Sequence, residues 1–503
     1  MDGKELNKNL TKLLTHLDSI KDTLPMTTLL LEPHKKKAKA KFEEFLEKNA
    51  EKILEEEDNN TSISIKYENV KIFEQLSKNA EISGLAMKII PESLFVSLIS
   101  QYDAFLNKLL KILFKIRPEY INTSERELTF SQLIEFESIE SAREYVTEKE
   151  VENVLRKSHT EHFEYLESKL AITLRKDLPI WQTFIEITER RNLFVHCDGI
   201  VSNQYLKVCK DHKCNLNKIV LNQRLEVDPI YFQKAYECLF ELATKLTHTI
   251  WRKLVKNDLE EADEKLNSIC YSLLTSGQYE LAEILLDFAC KQNKYFNDSS
   301  RNFFIVNKAL SPYLNGKIDT AKEIINSKDW SASSDNFKLA HLIITENFEE
   351  AYILMKKIGK NGEVLKVHYK TWPLFYKLRK EMKFKEVFKE VFNEEYMVLE
   401  IPKRPVQQLV EEIVEKKPEL KQRTVKRIVE KEQDLKKAVT KKKISPKADT
   451  IKKIPKENPK ANIVKIPKIN KPLNETLRTI EKNKSLVAKQ LEFTNIETLK
   501  TDE

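Results

Sequence analysis

The sequence predicts an all-α protein, and three observations carry that expectation. Only seven glycines occur in 503 residues, so tight hairpins and phosphate-cradling loops are scarce. Apolar residues recur at a spacing near 3.6 and hardly ever alternate, which marks helices rather than strands. Hydrophobic residues make up 41% of the chain, enough for two or three domains with real cores.

Residues 4 to 24 place Leu6, Leu10, Leu13, Leu17, Ile20 and Leu24 at alternating steps of four and three, forming one apolar seam. Such a seam suits a paired coil or a helix packed in a bundle. Pro33 is expected to interrupt it, ahead of a second amphipathic helix through Phe42, Phe45, Leu46, Ile53 and Leu54. From 58 to 92 the pattern is mixed: "SISIKYENVKIF" alternates weakly and admits a short strand or two. These residues, 1–84, read as an N-terminal helical segment.

From Ser93 the helical signal strengthens. "SLFVSLISQYDAFLNKLLKILFKI" runs about six turns, with Ser93 placed as an N-cap and Pro118 just past the end. Being apolar around most of its circumference, it needs several neighbours to bury it. Those neighbours are expected over about 127–176, from Pro179 through "ERRNLFVHCDGIV", and from Asp228 to Leu254, where Asp228-Pro229 makes a good N-cap and first-turn pair. Residues 85–257 therefore read as one helical bundle.

The next section, 262–397, repeats. "GQYELA", "GKIDTA", "ENFEEA" and "MKFKEV" each set an apolar residue three positions ahead of a small one, with Tyr279, Ile318, Phe348 and Phe384 separated by 39, 30 and 36 residues. The spacing is near 34 residues, and "YSLLTSGQYELAEILLDFA" resembles the helix-turn-helix unit of tetratricopeptide repeats, with Gly277, Tyr279, Ala282 and Ala289 at its turn and packing positions. The later copies depart from that pattern, having no glycine in the third or fourth and Val387 for alanine. The physical expectation is an α-solenoid of stacked helical hairpins that offers a surface to a protein partner.

After about residue 398 the composition changes. Residues 401 to 503 hold 27 lysines and arginines against 15 acidic residues, net +12, whereas residues 1 to 400 hold 59 against 63, net −4. Phe493 is the one aromatic beyond 400. Frequent prolines and little apolar surface predict a basic, mostly disordered C-terminal tail over 398–503, with a solitary charged helix over 405–440. Its lysines suit either phosphate neutralisation or a merely solvated linker. Six cysteines without a CxxC pair, a charged start "MDGKELNKNLTKLL" and no apolar run near the ~18 residues that span a bilayer fit a reducing, cytoplasmic setting without a membrane. Cys197, Cys209, His212 and Cys214 lack the second well-placed pair of a zinc site, so no metal and no cofactor is expected.

The chemistry-bearing stretch is "ERRNLFVHCDGIV", residues 189–201. Arginine followed by histidine four to six residues on is a weak pattern: 15 arginines and 9 histidines give about 0.8 chance occurrences, and Arg156 with His162 is a second match. Context separates them. Arg191 shares a helical strip with Phe184, Ile187 and Phe194, where a guanidinium seldom sits without a partner or a purpose. Asn192 lies four before His196 and is placed to orient its imidazole. Arg191 and His196 are five steps apart, about 140° around the helix, so they diverge unless the helix ends near His196, where Asp198-Gly199 follows. Asp103, on an apolar row with Ile99, Leu106 and Leu110, should be half-buried and paired with Arg190 or Arg191.

"RRNLFVHCDGIVSNQYL", with "SLFVSLISQYDAFLNKLL" ahead of it, resembles the HEPN superfamily (higher eukaryotes and prokaryotes nucleotide-binding), helical bundles that carry Arg, a polar residue, then His. The resemblance covers roughly 85–255. It implies a metal-independent endoribonuclease with a composite site at a homodimer interface, of the kind found in antiphage defence and toxin-antitoxin growth arrest. Carried over by position, Arg191 and His196 are catalytic and Asn192 supports them, with Asp103 and Arg190 in supporting roles. Attack of the RNA 2′-hydroxyl on its own phosphate would leave a 2′,3′-cyclic phosphate and a 5′-hydroxyl; imidazole suits the proton transfers and a planar guanidinium the phosphoryl charge. The repeats would then carry an antitoxin-like inhibitor or a sensor. The competing expectation is a catalytically inactive RNA- or nucleotide-binding scaffold, in which Arg191 merely pairs with Glu189 or Asp103 and His196 caps a helix.

Overall fold

The computed structural model describes residues 2–55, 60–121, 128–176, 178–216, 218–398 and 463–467. The described chain is all-α, with sixteen α-helices and three short strands. It divides into two compact units, residues 2–21 with 91–398 and residues 22–90 with 463–467. The boundary expected at 84 is therefore displaced, and the first turns of the chain belong to the bundle.

The reason lies in the leucine seam. Helix α1 (Asp2–Asn49) begins with Leu6, Leu10, Leu13 and Leu17, each at most 2% exposed. Asn9 donates from Nδ2 to the Phe105 carbonyl at 3.0 Å, and His16 Nδ1 lies 2.6 Å from Gln101 Oε1. The seam thus packs against α2 (Val70–Ile116), as a bundle helix does. None of the three prolines breaks its helix: α1 runs through Pro25 and Pro33, and α2 through Pro91, so Ser93 is an interior residue rather than an N-cap. A proline removes one hydrogen bond and crowds one carbonyl, a loss that a long helix with sound turns on both sides can absorb.

In the second unit, strands β1 (Ala50–Glu55), β2 (Asn60–Ile65) and β3 (Ile463–Pro467) pair antiparallel in the order β1-β2-β3. The weak alternation yields β2, and helix resumes at Val70. Ile65 and Phe73 are buried there, with Phe42, Phe45 and Leu46 packed on them. β3 falls in the segment expected to be disordered; the rest of 399–503, including the expected helix over 405–440, lies outside the described residues. Within Tyr67–Ile116 one 18-residue window of mean hydropathy 1.6 is long and apolar enough to cross a membrane by length and composition, with 17% of it buried. Charged residues punctuate that window, which hides it from a search for an unbroken apolar run.

The bundle continues with α3 (Phe130–Ile134), α4 (Ile139–Leu155), α5 (His159–Leu170), α6 (Trp181–His196), α7 (Asn203–Asp211) and α8 (Pro229–Leu254). Thr129, Ser138 and Ser158 close capping boxes ahead of α3, α4 and α5. Asp228 Oδ1 accepts from the Tyr231 amide at 2.7 Å and starts α8. α6 packs on α5, α7 and α8, which fixes the face of the candidate site.

Eight helices follow: α9 (Leu259–Thr275), α10 (Tyr279–Cys290), α11 (Asp298–Leu314), α12 (Ile318–Asn326), α13 (Asp335–Ile344), α14 (Phe348–Ile358), α15 (Lys366–Thr371) and α16 (Met382–Phe392). Each of α10 to α14 packs on the helix before it, with α11 also against α9 and α13. The recurring residues have a plain role. Tyr279, Ile318 and Phe348 each open the second helix of a pair, and Ala282, Ala321 and Ala351 are fully buried one turn later. Two residues before each opening, the chain takes the left-handed conformation at Gly277 (φ 74°), Gly316 (φ 78°) and Glu346 (φ 66°). A buried pair, Arg252 Nη2 to Asp263 Oδ1 at 2.5 Å, ties α8 to α9.

A Cβ at Gly277 would meet nothing within 4 Å, so only the backbone angle resists substitution. Gly277→Ala is expected to cost about 1 kcal/mol, read as a lower thermal midpoint of the purified chain.

Candidate functional site

Helix α6 carries two ionic networks. The inner one is centred on Glu186, a buried carboxylate. Its Oε1 accepts from Arg190 Nε at 2.7 Å and from the Tyr205 hydroxyl at 2.8 Å, and its Oε2 accepts from the Tyr231 hydroxyl at 2.7 Å. The Arg190 guanidinium also lies over the Tyr231 ring, 3.8 Å from its centroid. Burial works against the Arg190 charge, but Tyr231, Glu186 and Tyr205 outweigh it and hold the guanidinium above its ordinary value. Arg190 is therefore committed to packing α6 against α7 and α8. Of the two arginines expected as partners of Asp103, it is Arg191 and not Arg190 that lies beside it.

The second network is half-open. Asp103, on α2, sits with one carboxylate oxygen 2.9 Å from His159 Nε2 and the other 3.8 Å from Arg191 Nη2. Arg191 Nη1 donates to Asn192 Oδ1 at 3.2 Å, while its Nε is buried without a partner among the described residues. Glu189 completes the group: burial pushes its carboxyl up, against the pull of His159 and a hydrogen bond from Asn192. Asn192 thus serves Arg191 and Glu189, not the imidazole of His196.

His196 stands elsewhere. It is the last residue of α6 and exposed, and no hydrogen bond or ring contact joins it to another described residue. Because the helix stays regular through His196, the 140° divergence holds, and one chain does not bring Arg191 and His196 together. The following "DGIV" is structural. Asp198 (φ 47°) and Gly199 (φ 73°) reverse the chain, the Gly199 amide donates to the Leu193 carbonyl at 3.0 Å, and a Cβ at Gly199 would lie 2.9 Å from the Phe194 ring. Ile200 then bridges to Arg224, whose guanidinium grips Glu92 at 2.9 and 3.1 Å.

His159 is the residue that spacing alone did not single out, and His162 is its neighbour on the same helix. Both sit on α5, with ring centroids 5.1 Å apart. His159 also packs on Phe184, 5.5 Å between centroids, and Tyr102, 6.5 Å. His162 is 3% exposed. Burial, helped by nearby His159, pulls its pKa down to about 4. The second Arg/His match falls apart in space: Arg156 is exposed and pairs with Glu152, while its histidine turns inward.

Of the cysteine-histidine set, Cys209 and Cys214 come together, with a hydrogen bond between their thiols, and the others turn to different partners. His212 Nε2 is 3.2 Å from Thr160 Oγ1, and Cys214 Sγ donates to the Gln182 carbonyl at 3.2 Å. Cys197 is exposed, and among the described residues no group of three or more His, Cys, Asp or Glu could hold a metal ion.

The buried neutral His162 has a consequence for acid stability. Its pKa is lowered on folding, so its neutral form stabilises the fold above about pH 6.5 and that contribution is lost as pH falls toward 4. Between pH 7 and 4.5 the native chain should lose about 2 kcal/mol more stability than His162→Phe, measured by urea titration at both pH values. In comparisons with protein-family models, with curated proteins and with solved structures, the chain finds no match in any of the three.

Proposed function

We propose that the chain is a metal-independent endoribonuclease, acting as a homodimer, in which Arg191 of one copy and His196 of a second copy meet one RNA phosphate. The observation that carries this reading is the setting of Arg191: a guanidinium about one quarter exposed, braced by Asp103 and Asn192, on the same helix whose last residue is an exposed histidine. A buried arginine that served packing alone would be saturated as Arg190 is, whereas Arg191 keeps a half-open face. The resemblance of "RRNLFVHCDGIVSNQYL" to the HEPN motif supports the assignment. Arg191 stabilises the charge that builds on phosphorus, and His196 moves protons to or from the ribose and leaving oxygens.

A dimer is required by the geometry of this reading, since the two side chains diverge within one chain. The lysine-rich segment beyond 400 adds non-specific hold on RNA by neutralising phosphates, and that hold weakens steeply with salt. The helical hairpins of 262–397 carry the regulating protein partner, an inhibitor or a sensor, and antiphage defence or growth arrest is the setting the resemblance suggests. The divergence of Arg191 and His196 also favours a second reading: a scaffold that binds RNA or nucleotide without cutting it.

Incubating the full chain with bulk tRNA and mRNA in EDTA should yield fragments ending in 2′,3′-cyclic phosphate and 5′-hydroxyl, with sedimentation giving a dimer. His196→Ala and Arg191→Ala should each lower the cleavage rate by about 100-fold or more while leaving RNA retention within about twofold. RNA retained but never cut by the native chain would establish the scaffold instead.

A further inference from the structure

We infer that His159 is a further catalytic group of the same site, the base that takes the 2′-hydroxyl proton beside Arg191. This rests on the ribonuclease reading above and adds to it a residue from outside the Arg/His motif. The case begins with Asp103. A carboxylate only accepts hydrogen bonds, so at 2.9 Å the His159 Nε2 must carry the hydrogen. The lone pair is then fixed on Nδ1, which makes no hydrogen bond to the described residues and is not among their sealed polar atoms. Orienting one ring nitrogen with a carboxylate so that the other can take a proton is how a general base is prepared.

Position and surroundings agree with that role. The ring is held on its other sides by Tyr102, Phe184 and His162, so it has little freedom to turn. Its side chain remains 13% exposed, beside Asp103 at 32% and Arg191 at 26%, so none of the three is sealed in the core. The charged and titratable groups facing it are Asp103 from α2, Glu189 and Arg191 from α6, and His162 from its own helix. The shared carboxylate sets base and phosphate-binding cation side by side. One chain therefore supplies a histidine next to Arg191 without help from His196.

The step balances without a further reactant. The proton leaves the 2′-oxygen for His159 Nδ1, the 2′-oxygen bonds to phosphorus, and the bond from phosphorus to the 5′-oxygen breaks. The leaving oxygen takes a proton from the imidazolium of His196 on the second copy. His159 afterwards releases its proton to solvent, and His196 regains one.

The test uses the full chain and a single-stranded RNA oligonucleotide under single-turnover conditions. In His159→Gln the side-chain amide can still donate to Asp103, but no proton-accepting nitrogen remains, so the thermal midpoint and RNA affinity should hold while the cleavage rate falls about 100-fold or more. In His159→Ala, free imidazole should restore part of the rate, whereas it should restore none in Arg191→Ala. Native-like cleavage by His159→Gln, or no rescue of His159→Ala by imidazole, overturns the role of His159 and leaves the ribonuclease reading intact. No cleavage by the native chain overturns both.

Discussion

The rotational setting of α6 depends on one buried carboxylate. Glu186 is ringed by Arg190, Tyr205 and Tyr231, donors from its own helix, α7 and α8. Leaving the Glu186 or the Arg190 charge unpaired in that interior would cost several kcal/mol, on the order of 3–5, so the helix has one acceptable rotation about its axis. With Arg190 fixed inward, the next residue projects about 100° further round, where α2 offers Asp103. Two adjacent arginines thus acquire opposite duties from a single geometric constraint. The same rotation leaves His196 at the free end of the helix, away from its neighbour in the motif.

Periodicity carried the elements and missed their continuity. The apolar spacing located the bundle helices, the Asp228 cap and the openings of the repeat helices, because burial of one face writes directly into sequence. Proline was over-read: Pro33 lies inside a helix whose long flanks tolerate one missing bond. The start of α1 was assigned apart from the bundle because the contacts of Asn9 with Phe105 and His16 with Gln101 span about ninety residues, a separation no local pattern encodes. At the site, Arg191 and Asp103 were legible from the oddity of charge on an apolar strip. His159 was not. It lies in a polar stretch, "KSHTEHF", where the visible signal is the capping box of Ser158 and Glu161, and only the fold sets it against a carboxylate 56 residues earlier.

The repeats show how one turn geometry survives a change of residue. Gly277 and Gly316 take the left-handed turn at no steric cost, and the third copy places Glu346 there instead. That carboxylate accepts from Lys322 at 3.2 Å and from Lys377 at 2.7 Å, one before it and one after it in the chain. The Lys377 hydrogen bond, aided by Lys322, holds its carboxyl below the ordinary range despite some burial. The backbone strain of a side chain at positive φ, about 1 kcal/mol, is thereby offset by contacts that glycine could not make. Loss of the motif glycine in the third copy is thus a substitution of one stabilising device for another.

The charge at the Asp103 cluster bears on how any phosphate could be held there. Asp103 and Arg191 are opposite charges side by side, and the Glu189 carboxyl is pushed up by burial against the pull of His159 and Asn192. A cluster so balanced attracts an anion weakly, and residues 1–400 as a whole carry net −4. At physiological salt, charges more than about 8 Å apart are largely screened, so attraction for a polyanion has to come from groups close to it. The segment after residue 400, with 27 lysines and arginines against 15 acidic residues, is where the chain carries its excess of positive charge. On the ribonuclease reading proposed above, binding and chemistry would be separable: the half-open cluster would position a proton and a phosphoryl oxygen, and the energy that brings a nucleic acid to it would be supplied from outside that cluster.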